Sequence, residues 1–415
     1  MEQPSPKTFC VAPWFQIRNE NDLRKKVCCH IDRVTKSDLG VFEHLNSEDN
    51  IKLKKDLHAG IQNPNCKKCW TNEQNNVKSL RQSLNGSLLN NQSTIENSWL
   101  TSYFKRKENW TSDRLLMADI HIGNTCNHAC IMCIPADSSL IYNHWQKSQD
   151  NEFVKEVLDK DPKHLERIKM NGFKNKKYEE YFTHVISNNP NLKVLKIIGG
   201  EPLMDKNLLQ KLQELDEEQK QRLSIWVVTN GSVNLNDILD KLGNFKGIFF
   251  TVSIEGVGQV HEYARYGSNW KQLEQNILSF KQSDTRGITI HHTIQASTLL
   301  GLEDLTHWCN QNNLSITLGF VEHPDYLSVS AIPDHIRETV VKKAKANKML
   351  VREELLSDEP TLTAENMLHT LTSTSFDPYL YKRFLRYVDW YEGNKTEIPR
   401  LKNIFPELYE VDIQL

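Results

Sequence analysis

The chain has 415 residues and a formal net charge of -2 at neutral pH, long enough for two or three domains or for one barrel with additions, and too nearly neutral to be drawn as a whole to nucleic acid or to a membrane surface. Hydrophobic residues make up 38% and the mean hydropathy is clearly negative, the balance of a soluble globular protein that carries polar extensions. No apolar run is long enough to span a bilayer, and the start Met-Glu-Gln-Pro-Ser-Pro lacks the basic-then-apolar build of a signal peptide, so a cytoplasmic protein is expected. Nine cysteines in a reducing compartment point to metal or cluster ligation rather than disulfides. The sequons at Asn85, Asn91 and Asn109 carry no meaning there.

Residues 1–70 hold five of the nine cysteines: Cys10 ahead of Pro13-Trp14, the pair Cys28-Cys29, and Cys66-Lys-Lys-Cys69-Trp70. A single turn can present Cys66 and Cys69 to one metal, and Cys10 with Cys28 or Cys29 completes four thiolates. Four thiolates make a closed site, which suits structural zinc and a fully ligated iron–sulfur cluster alike. The tract 72–98 is rich in Asn, Gln and Ser and reads as a linker that buries little, with one helix over 77–84.

From residue 115 the pattern changes. Six β-rich runs, at 115–123, 192–200, 223–231, 247–256, 287–296 and 315–323, alternate with helical candidates such as 206–223, 235–242, 270–281 and 302–312. Alternation of this size predicts parallel βαβ units. Four of the runs end in residues able to do chemistry: Cys126, Cys130 and Cys133 after the first, Gly199-Gly200-Glu201-Pro202 after the second, Thr229-Asn230-Gly231 after the third, Ser253-Ile-Glu255 after the fourth. Parallel barrels take their ligands at the carboxyl ends of the strands, so these motifs are expected on one rim.

Strand alternation also predicts what faces inward. In the fourth run Ile248, Phe250, Val252 and Ile254 share the helix-covered face, leaving Phe249, Thr251, Ser253 and Glu255 toward the lumen. In the fifth, Thr289, His291, Thr293 and Gln295 point in, and Asp119 and His121 match them in the first. Complete barrels usually fill this space with branched apolar side chains. A polar lumen suggests a bound polar ligand before the alternative of a mutually hydrogen-bonded core network.

Cys126-x3-Cys130-x2-Cys133 directly after a strand resembles the signature of the radical S-adenosylmethionine (SAM) superfamily. Three thiolates leave one iron of a [4Fe–4S] cubane open, and the resemblance implies that this iron takes SAM and that one electron cleaves it to a 5′-deoxyadenosyl radical able to abstract hydrogen. The bland reading of the same cysteines is zinc, with His128 as fourth ligand. The rim motifs resemble the family's SAM contacts: Gly199, Gly200, Glu201 and Pro202 for the amino group, Ser253 and Glu255 for ribose or carboxylate, with Asn230 and Gln295 as further contacts. Met132 stands where the family often has an aromatic residue, and offers a flexible apolar edge to a purine. Arg265 is a candidate to pair with a carboxylate of SAM or substrate, and reads by default as a solvated surface cation. The six runs resemble the partial (βα)6 barrel of that family.

The order of Cys10, Pro13-Trp14, Cys28-Cys29 and Cys66-x2-Cys69-Trp70 resembles the auxiliary-cluster module called SPASM or twitch, here ahead of the barrel. It lacks the usual Gly and Pro before the cysteine pair, where this chain has Lys25-Lys26-Val27, and this leaves Cys28 against Cys29 open with a lean to Cys28. The expectation is an α/β chain in three parts: a cysteine-rich module and linker at 1–98, a barrel at 99–330, and a helical extension at 331–415 with helices at 333–346, 363–371 and 378–391. The resemblance implies an enzyme with two [4Fe–4S] clusters and SAM, a peptide substrate before a small metabolite or nucleotide, and a low-potential flavodoxin- or ferredoxin-like electron donor. The non-enzyme alternatives are a two-cluster electron carrier and a zinc-stabilised binding module. Near-neutral charge and no basic–aromatic clusters argue against nucleic acid.

Overall fold

The computed structural model describes residues 7–20, 22–32, 39–74, 78–86, 110–160, 165, 176–283, 287–321, 323–346, 364–393, 395 and 397–410. Most of the polar tract, the boundary at 98/99, the sequons at Asn91 and Asn109, and Glu322 of the loop closing the sixth run lie outside these residues.

All six expected strands are present: β3 (Met117–His121), β5 (Val194–Ile198), β6 (Ser224–Thr229), β7 (Gly247–Ser253), β9 (Ile288–Ile294) and β10 (Ser315–Phe320). The sheet also contains β1 (Gln16–Asn19) and β2 (Lys25–Lys26), in the order β10-β9-β7-β6-β5-β3-β1-β2. Every neighbouring pair is parallel except β1 with β2. A two-stranded ribbon of β4 (Ala129–Cys130) and β8 (Arg265–Tyr266) stands apart from it.

The period-2 pattern explains which face is buried. In β6 alternate residues are fully covered, with Ile225 and Val227 at 0–1% exposure, and the same holds for Leu195 and Ile197 in β5 and Ile248, Phe250 and Val252 in β7. These side chains join one core with Leu208, Leu212, Leu235, Ile238, Leu242, Ile277 and Phe280 of the crossover helices. The opposite face is open enough that Phe249 keeps 45% of its surface exposed.

Capping chemistry corrects one expected helix. The run over 206–223 is two helices, Lys206–Gln213 and Glu217–Arg222. Asp216 accepts from Gln219 N while the Gln219 side chain accepts from Asp216 N, a capping box that starts the second helix afresh. The helix expected over 77–84 is Leu80–Asn85, set by the same device at Ser79 and Gln82.

β1 joins the N-terminal segment to the main sheet. It pairs with β3 in the register Gln16↔Met117, Ile17↔Ala118 and Arg18↔Asp119, and an ion pair of 2.7 Å joins Arg18 to Asp119. The cysteine-rich segment is therefore tied by main-chain hydrogen bonds to the first strand of the barrel. The helical tail has the expected elements Asp334–Ala346, Ala364–Ser373 and Pro378–Gly393. Aromatic contacts of Tyr387 with Phe153 and of Trp390 with Trp145 fasten its last helix to the segment after the three cysteines, and Tyr387 also meets Tyr326 beyond β10. Among the described residues no helix is long and apolar enough to cross a membrane.

Candidate functional site

The three cysteines lie on a loop at the carboxyl end of β3, braced from several sides. Cys126 N donates to Ser139 Oγ at 3.2 Å and Ser139 N to Asn124 O at 2.7 Å, so the helix Ser139–Lys147 holds the first half. β4 pairs with β8 in the register Ala129↔Tyr266 and Cys130↔Arg265. A turn with Cys133 N donating to Cys130 O at 3.1 Å sets those two side chains near each other. Cys130 is buried, whereas Cys126 and Cys133 are half-buried.

Electrostatics separate the three thiols. The Cys133 thiol donates to Cys130, and this bond, with the Arg265 guanidinium beside it, holds Cys130 well below the ordinary thiol range. Arg265 Nη1 lies 3.7 Å from Cys130 Sγ. Burial pushes Cys126 up to about 12. The His128 ring is buried beside Cys130.

The Gly-Gly-Glu segment is fitted to this loop. Gly200 N donates to Gly123 O and Glu201 N to Thr125 O, each at 2.8 Å. A Cβ at Gly200 would stand 2.2 Å from Thr125 O, so only glycine permits the approach. Pro202 opens a short 3-10 turn, Pro202–Met204. The Glu201 carboxylate is 2% exposed in total residue surface and accepts from Leu203 N (3.1 Å), Thr229 Oγ1 (2.7 Å) and Asn230 N (2.6 Å). Burial raises its pKa against those donors. Four lone-pair positions with three donors leave one acceptor position, on Oε2. Asn230 Nδ2 donates to Asn127 Oδ1 at 2.8 Å, tying the end of β6 to the cysteine loop.

Arg265 departs from its expected place on the surface. Its Nη2 and Nε lie 2.7 and 3.3 Å from Glu255 Oε1, and its side chain is 12% exposed against 0% for Glu255. Glu255 Oε2 accepts from Thr293 N at 3.0 Å and lies 3.2 Å from His292 Nδ1. Burial opposes the Glu255 charge, but Arg265 and His292 hold its carboxyl well below the usual carboxylate range. Glu255 therefore does not project freely into the lumen as the alternation suggested: β7 ends at Ser253, and beyond it the chain no longer follows the strand period. Ser253 itself is half-buried beside His291 in register. His291 Nδ1 meets Thr317 Oγ1 at 2.8 Å, and Met132 is half-buried.

Beyond the end of β9, Gln295, Ser297 and Thr298 are fully buried, and among the described residues none of their side-chain polar atoms has a hydrogen-bond partner. Buried polar atoms are seldom left so, which marks a place for a polar ligand. Three thiols on one loop and a guanidinium beside Cys130 form a donor set that suits an iron–sulfur cluster.

A second group forms in the N-terminal segment. Cys10, Cys28, Cys66 and Cys69 line one cavity with Val27, Trp70 and Arg81. Arg81 shapes it, donating to Phe9 O at 2.8 Å and pairing with Glu73 at 2.6 Å, while Trp70 Nε1 donates to Asn63 O at 2.8 Å. Burial raises the pKa of all four thiols, so their thiolates need a bound cation to persist. Cys29 lies outside the cavity lining and is exposed, with Arg18, Asp119 and Lys196 acting on its thiol. Among the described residues no three His, Cys, Asp or Glu side chains are gathered as closely as a single metal ion requires. A cubane asks something different of them, since each thiolate binds its own iron.

Residues 120–296 match the family model described as the Radical SAM superfamily. Among solved structures the chain is similar to native anSMEcpe with bound AdoMet, at 15% identity and a TM-score of 0.39, over 56% of this chain and 60% of that one. It is also similar to Streptococcus suis SuiB bound to precursor peptide SuiA, at 14% identity and a TM-score of 0.37, over 74% of this chain and 62% of that one. The chain thus spans less than two thirds of the length of each of these two structures. No curated protein matches. The family match runs from β3 to just past β9 and takes in the cysteine loop, the Gly-Gly-Glu segment, Glu255, Arg265 and Gln295.

Proposed function

We propose that the chain binds a [4Fe–4S] cluster through Cys126, Cys130 and Cys133, holds SAM against it, and modifies a peptide or protein side chain with the help of an auxiliary [4Fe–4S] cluster on Cys10, Cys28, Cys66 and Cys69. The chemistry implied is one-electron cleavage of SAM, with the 5′-deoxyadenosyl radical taking a hydrogen atom from the substrate. The chain's own residues bind, aim and shield. The Gly199–Gly200 backbone and the remaining acceptor position of Glu201 receive the SAM ammonium, which needs an anionic or carbonyl partner once desolvated. Gln295, Ser297 and Thr298 supply polar atoms to the rest of that ligand, with Ser253 at the neighbouring strand end. Asn230 and Glu255 act at one remove: Asn230 braces the cysteine loop, and Glu255 holds Arg265 beside Cys130. The parts are the module through residue 98, the barrel over 99–330 and the helical extension from 331. The electron donor is of flavodoxin or ferredoxin type, and the setting the cytoplasm.

The observation that carries the auxiliary cluster is the sharing of one cavity by four thiols while the adjacent Cys29 stands outside it. In relatives with such modules the substrates are often ribosomally made peptides or protein side chains, which is the ground for a peptide here. The test is iron and sulfide analysis after anaerobic reconstitution. The wild type is expected to hold about eight irons per chain, Cys28→Ser about four, and Cys29→Ser as many as wild type. Zinc with negligible iron, or equal losses in both variants, refutes the assignment.

A further inference from the structure

The helical tail shows no chemistry in its sequence, yet its last helix, Pro378–Gly393, reaches the cysteine loop from behind. Tyr387 Oη donates to Ile131 O at 2.5 Å. Tyr391 Oη lies 3.0 Å from both Ala129 O and Tyr263 O, and its one proton serves either acceptor. Ala129 and Ile131 flank Cys130. Both tyrosines are at most 1% exposed, so water cannot replace their hydroxyls.

The other side of the same segment is held by main chain. Ala129 and Cys130 pair with Tyr266 and Arg265, and Ile131 N donates to Ala264 O at 2.8 Å. The three residues around Cys130 are thus gripped between β8 and two tyrosine hydroxyls. The helix is anchored in turn: Arg386 pairs with Glu156 at 2.7 Å and Arg383 with Asp325 at 3.1 Å, and Lys395 Nζ donates to Tyr391 O at 2.9 Å. Groups that orient ligands from one shell out commonly decide how well a metal is held.

We propose that Tyr387 and Tyr391 are positioning residues for the three-cysteine cluster, fixing the backbone on both sides of Cys130 so that its thiolate meets the iron in one orientation and the open iron keeps its aim at SAM. This rests on the radical SAM reading of the cysteine loop. Loss of the Tyr387 hydroxyl takes the donor from Ile131 O, and loss of the Tyr391 hydroxyl takes the one proton shared by Ala129 O and Tyr263 O, each at a cost that corresponds to about a tenfold change in an equilibrium, while the ring still fills its place.

The test uses the full chain, reconstituted anaerobically, with Tyr387→Phe, Tyr391→Phe and the control Tyr381→Phe. Tyr381 stands on the same helix and donates to a buried carbonyl, Leu408 O at 2.7 Å, away from the loop. The readout is the electron paramagnetic resonance signal of the reduced cluster that responds to added SAM, which reports the open-iron site alone. Tyr387→Phe and Tyr391→Phe are expected to broaden or shift that signal and to weaken SAM binding about tenfold, and Tyr381→Phe to match wild type. Amide hydrogen exchange of the cofactor-free chain gives a second measure: the two loop variants should speed exchange in residues 129–131, the control should not. Wild-type behaviour in both loop variants, or an equal change in Tyr381→Phe, overturns the inference and leaves the functional reading standing. A wild-type chain with no SAM-responsive signal overturns the functional reading, and this inference with it.

Discussion

Glu255→Gln is the sharpest probe of the electrostatics at the site. The substitution keeps shape and size but removes the carboxylate charge from a pair in which Glu255 is fully buried and Arg265 nearly so. Solvent screening is slight there, so the cost is that of stranding a buried cation, about 3–5 kcal/mol. Gln still offers one oxygen to Thr293 N, which places the expected loss nearer the lower figure. For a chain of this size about 3 kcal/mol lowers the melting temperature by roughly 3–4 °C. The assay is thermal unfolding followed by circular dichroism, under anaerobic conditions, for wild type, Glu255→Gln, Arg265→Met and the double variant. The double variant should recover much of the loss, because it no longer buries an unpaired charge. A single variant that melts within about 2 °C of wild type, or a double variant whose loss is the sum of the singles, refutes the pairing as described.

The same pair gives a pH dependence of defined sign. The folded pKa of Glu255 is depressed, so its contribution is present above its unfolded value of about 4.3 and is lost as pH falls below that toward the folded value; a melting temperature that rises on acidification below pH 4 contradicts this. Gly200→Ala drives a methyl group to within 2.2 Å of Thr125 O and should displace the cysteine loop, lowering the iron retained at the three-cysteine site; unchanged iron content and SAM binding would show that the approach is not close. Glu201→Gln puts an amide where Leu203 N, Thr229 Oγ1 and Asn230 N all donate, leaving a donor facing a donor, with an expected cost of about 1–3 kcal/mol in thermal stability and weaker SAM binding by calorimetry. Stability equal to wild type would mean that the carboxylate is not the hub these distances describe.

The six barrel strands were legible because each carries a period-2 pattern between turn residues, and their burial follows it: Ile225 and Val227 in, Trp226 half-open. β1 was not. Four residues are too few to show a period, and what makes Gln16–Asn19 a strand is its partner β3, a hundred residues away. The rim motifs were legible as neighbours, since every parallel strand delivers its carboxyl end to the same side. Their hydrogen bonds were not. Glu255 reads as a lumen residue until the strand is seen to stop at Ser253, and Arg265 reads as solvated because its partner Cys130 lies 135 residues earlier. The run Tyr263-Ala-Arg265-Tyr266, a cation among aromatics just past a strand end, was the available signal. The tyrosines of the last helix gave less: they read as amphipathic packing, and only the tertiary fold brings Tyr387 to Ile131, 256 residues away. That Cys28 lines the N-terminal cavity and Cys29 does not was hidden for a similar reason, since adjacent residues differ only in the side to which each is turned.

The central claim is that Cys126, Cys130 and Cys133 hold a cluster whose open iron activates SAM. It is tested most directly by anaerobic reconstitution of the full chain, addition of a reductant and SAM, and quantification of 5′-deoxyadenosine for wild type and Cys130→Ala. Release by wild type with none above background from Cys130→Ala is the expected result. Equal release from both, or none from a wild-type chain carrying its full iron and sulfide, would contradict it.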